Sequence, residues 1–195
     1  MTDLIGLVRA DLHELTKVRR FPRADTIGAM HSRMVNSQEK LGSVVDDHFP
    51  WCVEHLEVLK VVLREYVARK RGEGVLDFDD LLLHWRALCV SPTVGAAVRS
   101  RFDHVLVDEY QDTNALQADI VKSFAEHATI TVVGDDAQAI YGFRAATVDN
   151  MVQYPDMVGG ATSVTLEQNY RSTNPVLEVA NAVLAQSDRH IDKRL

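Results

Sequence analysis

The sequence predicts an α/β fold, a parallel sheet with covering helices behind a mostly helical N-terminal region. Three observations carry this. Val105-Leu106-Val107 is an aliphatic run that ends in two acids, Asp108 and Glu109, the pattern of a buried strand of a parallel sheet. Thr131-Val132-Val133 is a second such run, ending in Gly134-Asp135-Asp136. Between them Leu116, Ile120, Val121 and Phe124 recur at helical spacing, and strand–helix–strand alternation signals parallel strands with a crossover helix.

Taken in order, Leu4, Ile5, Val8, Leu12 and Leu15 predict an amphipathic helix over residues 2–20. Asp3 lies near its start and Lys17, Arg19 and Arg20 at its end, as the helix dipole favours. Pro22 breaks it. A short helix is expected from Thr26 to Asn36, with Ile27, Met30 and Met34 on one face. Phe49-Pro50-Trp51 turns the chain into a long helix whose stripe is Val53, Leu56, Leu59, Leu63, Tyr66 and Val67, ending at Arg69-Lys70-Arg71 with Gly72 as cap. Those three cations, and Arg19-Arg20-Arg23 earlier, are either solvated helix ends or phosphate contacts. A helix over Leu76–Leu88 starts near Asp77 or Asp79, and Ser91-Pro92-Thr93 opens a short one to Arg99. The run Asp77-Phe78-Asp79-Asp80 reads either as a metal cluster or as a first helical turn rich in carboxylates. Strands are expected over 104–108, 129–134 and Ser163–Leu166, a helix over 147–153, and a closing helix from Pro175, a favoured first-turn proline. The basic tail Arg189–Arg194 reads as a frayed end.

Composition narrows the class. The chain has 195 residues, 46% apolar and 25% charged, with a net charge of −7. Those values suit a soluble globular protein of one or two domains. They argue against nucleic-acid binding by bulk charge but leave room for a local basic groove. Cys52 and Cys89 form no CxxC pair, and the eight histidines lack HExxH spacing, so buried thiols in a reducing compartment are expected and a zinc site is not. The sequence contains no apolar run long enough to span a bilayer. A cytoplasmic protein without membrane contact is expected.

The chemistry-bearing strings are Val105-Leu106-Val107-Asp108-Glu109-Tyr110-Gln111-Asp112, then Val133-Gly134-Asp135-Asp136-Ala137-Gln138-Ala139-Ile140-Tyr141-Gly142-Phe143-Arg144, then Leu166-Glu167-Gln168-Asn169-Tyr170-Arg171-Ser172. In this order they resemble motifs II, III and IV of superfamily 1 DNA helicases of the UvrD/Rep/PcrA type. Leu76-Asp77-Phe78-Asp79-Asp80-Leu81-Leu82 also matches that group. The resemblance implies a partial P-loop NTPase sheet of the RecA-like kind. It divides the chain into a helical accessory region (1–75), a partial first motor domain (76–165) and motif IV with the start of a second motor domain (166–195).

Site roles follow from the resemblance and agree with elementary chemistry. Ligands sit outside the carboxyl ends of parallel strands. There Asp108 is expected to hold Mg²⁺ and Glu109 to act as base on water. Gln111 and Asp112 are expected to couple neighbouring motifs by hydrogen bonds. Gln138 resembles the sensor of the terminal phosphate of ATP. Tyr170 resembles the residue that stacks on adenine, and Arg171 the arginine finger. Tyr141 and Phe143, two apart, would face one side of an extended loop and stack on unpaired bases. The family more often has Trp at the place of Phe143. Arg144 would pair with phosphate or with an acid across the cleft. The implied cofactors are ATP and Mg²⁺, and the implied partner is single-stranded DNA, unwound in the 3′-to-5′ sense.

The sequence contains no G-x-x-x-x-G-K-[ST] string, so the phosphate cradle and its lysine are missing. The expected reading is an internal piece of a helicase, inactive as an ATPase by itself. Without the P-loop strand, one side of strand 129–134 would lack a partner. That edge would pair with the rest of the helicase chain or with a second copy. Two other readings stand beside it. One is a non-catalytic module that binds single-stranded DNA or a partner; the other treats the acid clusters as a two-metal nuclease.

Overall fold

The computed structural model describes residues 1–140, 142, 145–146 and 149–186. The first half is helical. α1 (Thr2–Asp11) and the single turn α2 (His13–Thr16) occupy the stretch expected as one helix. Arg20 then adopts a left-handed backbone, with φ at 63°, just before Phe21 and Pro22. α3 (Ala24–Ser37) follows, and then α4 (Leu41–His48), which the sequence reading missed although Leu41, Val44 and Val45 mark one face. A 3-10 turn over Pro50–His55 leads into α5 (Leu56–Glu73). Val53 therefore falls outside the long helix and is exposed. The left-handed cap is Gly74, at φ 65°, rather than Gly72. Ile5, Val8, Ile27, Met30, Val45, Leu59, Val62 and Tyr66 form the first core.

α6 (Phe78–Val90) starts on Asp77, whose side chain accepts from the Asp80 amide while Asp80 accepts in return from the Asp77 amide, both at 2.9 Å. Such a reciprocal capping box satisfies two otherwise orphaned donors. The short α7 (Gly95–Arg99) precedes β1 (His104–Val107). α8 (Ala115–Lys122) carries a second capping box, between Asn114 and Gln117, and leads to β2 (Thr129–Val132). β1 and β2 run parallel, with His104 opposite Thr129 and Val107 opposite Val132. The chain is thus mixed helix and strand, with a two-stranded parallel sheet among the described residues.

Side chains on the sheet alternate. Val105 and Ile130 pack against Cys89, Ile120 and Phe124, the second core. Leu106, on the other face, is 77% exposed. The aliphatic run expected as a buried strand is therefore covered on one face only. A strand in a parallel sheet needs layers on both sides, and the described helices supply one.

Beyond β2 lie the single turns α9 (Asp149–Val152) and α10 (Tyr154–Met157). The strand expected at Ser163–Leu166 is not formed: the segment has no regular structure, and Val164 and Leu166 are exposed. Strands exist by pairing, and no described strand lies alongside this one. α11 (Asn174–Leu184) starts with Pro175 in its first turn, as expected, and buries none of its residues. No helix among the described residues is long and apolar enough to cross a membrane. Cys52 and Cys89 are buried free thiols.

Candidate functional site

The ladder between the strands continues past their named ends. The Val133 amide donates to the Val107 carbonyl at 2.8 Å, and the Tyr110 amide to the Val133 carbonyl at 2.9 Å. The two strand tips are thereby held in register, and the acidic strings emerge side by side. Asp108 and Glu109 are exposed, and one Asp108 carboxylate oxygen accepts from the Glu109 amide at 3.0 Å. Glu109 sits in the left-handed region, with φ 51° and ψ 44°. That conformation costs a residue with a Cβ about 1–2 kcal/mol, so the loop must be held from both ends.

Gln111 holds it. Its side chain is 1% exposed. Nε2 donates to Glu109 Oε2 at 2.7 Å, and Oε1 accepts from the Asp135 amide at 3.0 Å. Asp135 in turn accepts from Gln138 Nε2 at 2.8 Å. A continuous path of hydrogen bonds thus runs from Glu109 on the first tip to Gln138 beyond the second. Gly134 is required for it: a Cβ there would lie 2.5 Å from Gln111 Oε1. Tyr110 is buried edge-on against Tyr154, with ring centroids 5.2 Å apart, and burial pushes its hydroxyl up to about 12. The expected coupling role falls to Gln111. Asp112 lines the neighbouring cleft, and its buried Oδ1 has no hydrogen-bond partner among the described residues. That cleft, of about 440 Å³, is bordered by Asp108, Glu109, Asp112, Leu82, Trp85 and Val121. Carboxylate oxygens at an open strand tip are the donors that a hydrated Mg²⁺ on a phosphate chain accepts.

Tyr170 and Arg171 are not brought to this cluster. Tyr170 is 92% exposed. Arg171 is exposed too, on a turn closed by Asn169 Oδ1, which accepts from the Arg171 and Ser172 amides at 2.9 and 2.8 Å. Among the described residues the Arg171 guanidinium makes no ion pair. Tyr141, Phe143 and Arg144 lie outside the described residues. Between them, the Gly142 carbonyl accepts from Arg33 Nη1 at 3.2 Å.

Two alternatives left open by the sequence are narrowed. Of the cations Arg69-Lys70-Arg71, Arg69 pairs with Asp11 at 2.8 Å and Glu65 at 3.3 Å. Lys70 is buried, with Nζ 2.6 Å from both Asp77 Oδ2 and Asp80 Oδ2. Only Arg71 stays available to a phosphate. The run Asp77–Asp80 is a helix start neutralised by that lysine, and no group of three or more His, Cys, Asp or Glu among the described residues is placed to hold a metal. Burial alone would raise the Asp77 pKa, but hydrogen bonds from Lys70 and the Tyr66 hydroxyl win and hold it at about 2. Burial, then the Lys70 charge, depresses His31, which packs edge-on against Tyr66. Sequence reasoning had no signal for Lys70. The N-cap Asn114 was legible from Asn114-x-x-Gln117 before the apolar spacing of α8.

A profile of the UvrD/REP helicase N-terminal domain matches residues 15–158. The ATP-dependent DNA helicase UvrD1 of Mycobacterium bovis is 34% identical over an alignment of 203 positions, gaps included, that covers 98% of this chain and 26% of the relative. The probable DNA helicase II homolog of Rickettsia felis is 39% identical over 140 residues, covering 71% of this chain and 21% of the relative. The ATP-dependent DNA helicase PcrA of Leuconostoc citreum is 39% identical over 141 residues, covering 71% and 19%. The chain thus spans about a quarter or less of the length of these curated relatives.

Proposed function

The chain belongs to the UvrD/REP helicase family, and from that premise we propose that it is a motor segment of an ATP-dependent 3′-to-5′ DNA helicase. It would work with the rest of a helicase to couple ATP hydrolysis to movement along single-stranded DNA. Residues 1–75 serve as a helical accessory region, 76–165 as part of a RecA-like motor domain and 166–195 as the entry to a second one.

The observation that carries this reading is the hydrogen-bonded path from Glu109 through Gln111 and Asp135 to Gln138. Asp108 would hold Mg²⁺ at the strand tip. When bound, the ion spreads the negative charge of the terminal phosphates. Glu109 orients the attacking water and takes its proton. Gln138 donates to a terminal phosphate oxygen and loses that bond when phosphate leaves; Gln111 and Asp135 pass the change back to Glu109. Tyr170 stacks on adenine, and Arg171 meets the developing phosphate charge. Both must be carried to the tips by the second motor domain. Tyr141, Phe143 and Arg144 contact single-stranded DNA beyond the second tip.

The chain has no P-loop string, and alone it does not turn over ATP, because the backbone cradle and lysine that stabilise phosphate charge are missing. The same residues support a second reading, a non-catalytic module that binds single-stranded DNA or a partner. Titration of the purified chain with a fluorescent oligonucleotide tests the DNA contact. Binding that weakens with salt and falls about tenfold or more in Phe143→Ala is expected, since one base–aromatic stack contributes about 1–3 kcal/mol. Unchanged binding in Phe143→Ala removes the contact. Steady ATP turnover by the chain, abolished in Glu109→Gln, would overturn the claim of inactivity.

A further inference from the structure

One face of α3 reaches both loops of the site, although α3 belongs to the helical first half. Asn36 Nδ2 donates to Asp79 Oδ1 at 2.9 Å and to the Ser32 carbonyl at 2.8 Å. Asn36 Oδ1 accepts from Asn114 Nδ2, also at 2.9 Å. Asn114 and Asp79 are both buried, so each of these bonds is costly to lose. Asn114 also caps α8 through its Oδ1, which accepts from the Gln117 amide at 2.9 Å, and its backbone bridges Ala146. One helical turn before Asn36, Arg33 donates to the Gly142 carbonyl.

We propose that Asn36 and Arg33 are positioning residues, through which α3 holds the acid-bearing loop and the loop after Gln138 in one fixed relation. The loop Asp108–Thr113 is anchored at its start by the strand ladder and at its end by Asn114. Asn36 fixes that second anchor to α3. Without it, the N-terminus of α8 is free to shift, and the left-handed Glu109 loses one of the two ends that hold it. Arg33 fixes Gly142 to the same helix face, since residues three apart on a helix are neighbours. Displacement of either loop is thus transmitted to the other through α3, alongside the direct path through Gln111. The link to DNA rests on the proposed role of Tyr141 and Phe143 on either side of Gly142.

Amide hydrogen exchange on the full chain tests the positioning. Asn36→Asp puts a second acceptor opposite Asp79 and removes the donor, so faster exchange is expected at residues 109–114 and at Gly142 and Ala145–Ala146, with the α1 and α5 amides unchanged. The double variant Asn36→Asp with Asp79→Asn exchanges donor and acceptor across the same contact and keeps the net charge. It is expected to restore slow exchange. Arg33→Ala is expected to accelerate Gly142 and Ala145–Ala146, and Arg33→Lys to restore them. Wild-type exchange at both loops in Arg33→Ala and Asn36→Asp, or acceleration that the double variant does not reverse, overturns the proposal. Oligonucleotide affinity separates this from the DNA reading. Loss of about tenfold in Arg33→Ala, recovered in Arg33→Lys, is expected. If Phe143→Ala binds as wild type while the exchange pattern holds, the positioning stands and the DNA contact falls.

Discussion

At the scale of single residues, the site depends on Gln111 and on the absence of a side chain at Gly134. Gln111 is a neutral residue between two charged ones, with both ends of its amide engaged. A buried amide so used keeps one orientation, since reversal would put donor against donor. Gly134→Ala would push a methyl group into Gln111 Oε1 and against the Tyr110 amide, 3.2 Å away. Neither neighbour can yield without breaking a hydrogen bond, Gln111 Oε1 the one from the Asp135 amide and the Tyr110 amide its ladder bond to Val133. A loss of about 1–3 kcal/mol is expected from this overpacking, read as a lower urea midpoint at unchanged slope. An alanine as stable as the wild type would show that the two loops are not tightly joined there.

At the scale of elements, the junction between α5 and α6 is held by one buried cation and two carboxylates. Lys70→Met keeps the apolar stem but leaves Asp77 and Asp80 facing each other without a counter-charge. Truncating one partner of a buried pair costs about 3–5 kcal/mol, and urea unfolding should show a loss of that order; a change below about 1 kcal/mol would mean that water screens the cluster. The same cluster sets a pH dependence. Asp77 is depressed to about 2 in the fold, so its contribution is complete above the ordinary carboxylate range and is lost as pH falls toward 2. His31 is also depressed. The unfolded chain takes up a proton near pH 6.5 that the folded chain refuses, so stability declines as pH drops below that value. Both effects have the same sign. His31→Phe keeps an edge-on ring against Tyr66 and removes the titration, so its urea midpoint should vary less between pH 7 and pH 5 than the wild type's. An identical slope in the two proteins would remove His31 as the cause.

At the scale of the whole molecule, two apolar surfaces have no cover among the described residues. One is the sheet face of Leu106; the other is α11, where Val176, Val179 and Val183 are all exposed. Among the described residues β2 pairs with β1 on one side only. Open strand edges and apolar sheet faces favour association, so the isolated chain is expected to form dimers or larger species as concentration rises. Leu106→Lys puts a charge on that face and should shift light scattering toward the monomer without changing the helical signal. A wild-type chain that is monomeric throughout would show that the open face does not drive self-association.

The amino-acid sequence alone determined most helices, the two parallel strands and the coupling role of Gln111. Each is written in short-range periodicity or in a compact string such as Val107-Asp108-Glu109-Tyr110-Gln111-Asp112. It could not determine that Lys70 is an internal counter-ion rather than a surface cation, because its partners lie seven and ten residues further along the chain. Nor could it determine that Asn36 meets Asn114 across 78 residues, or that Leu106 lacks cover and Ser163–Leu166 lacks a neighbouring strand. Periodicity says which face of an element is apolar. What lies against that face, and whether anything does, is decided by packing between distant parts of the chain.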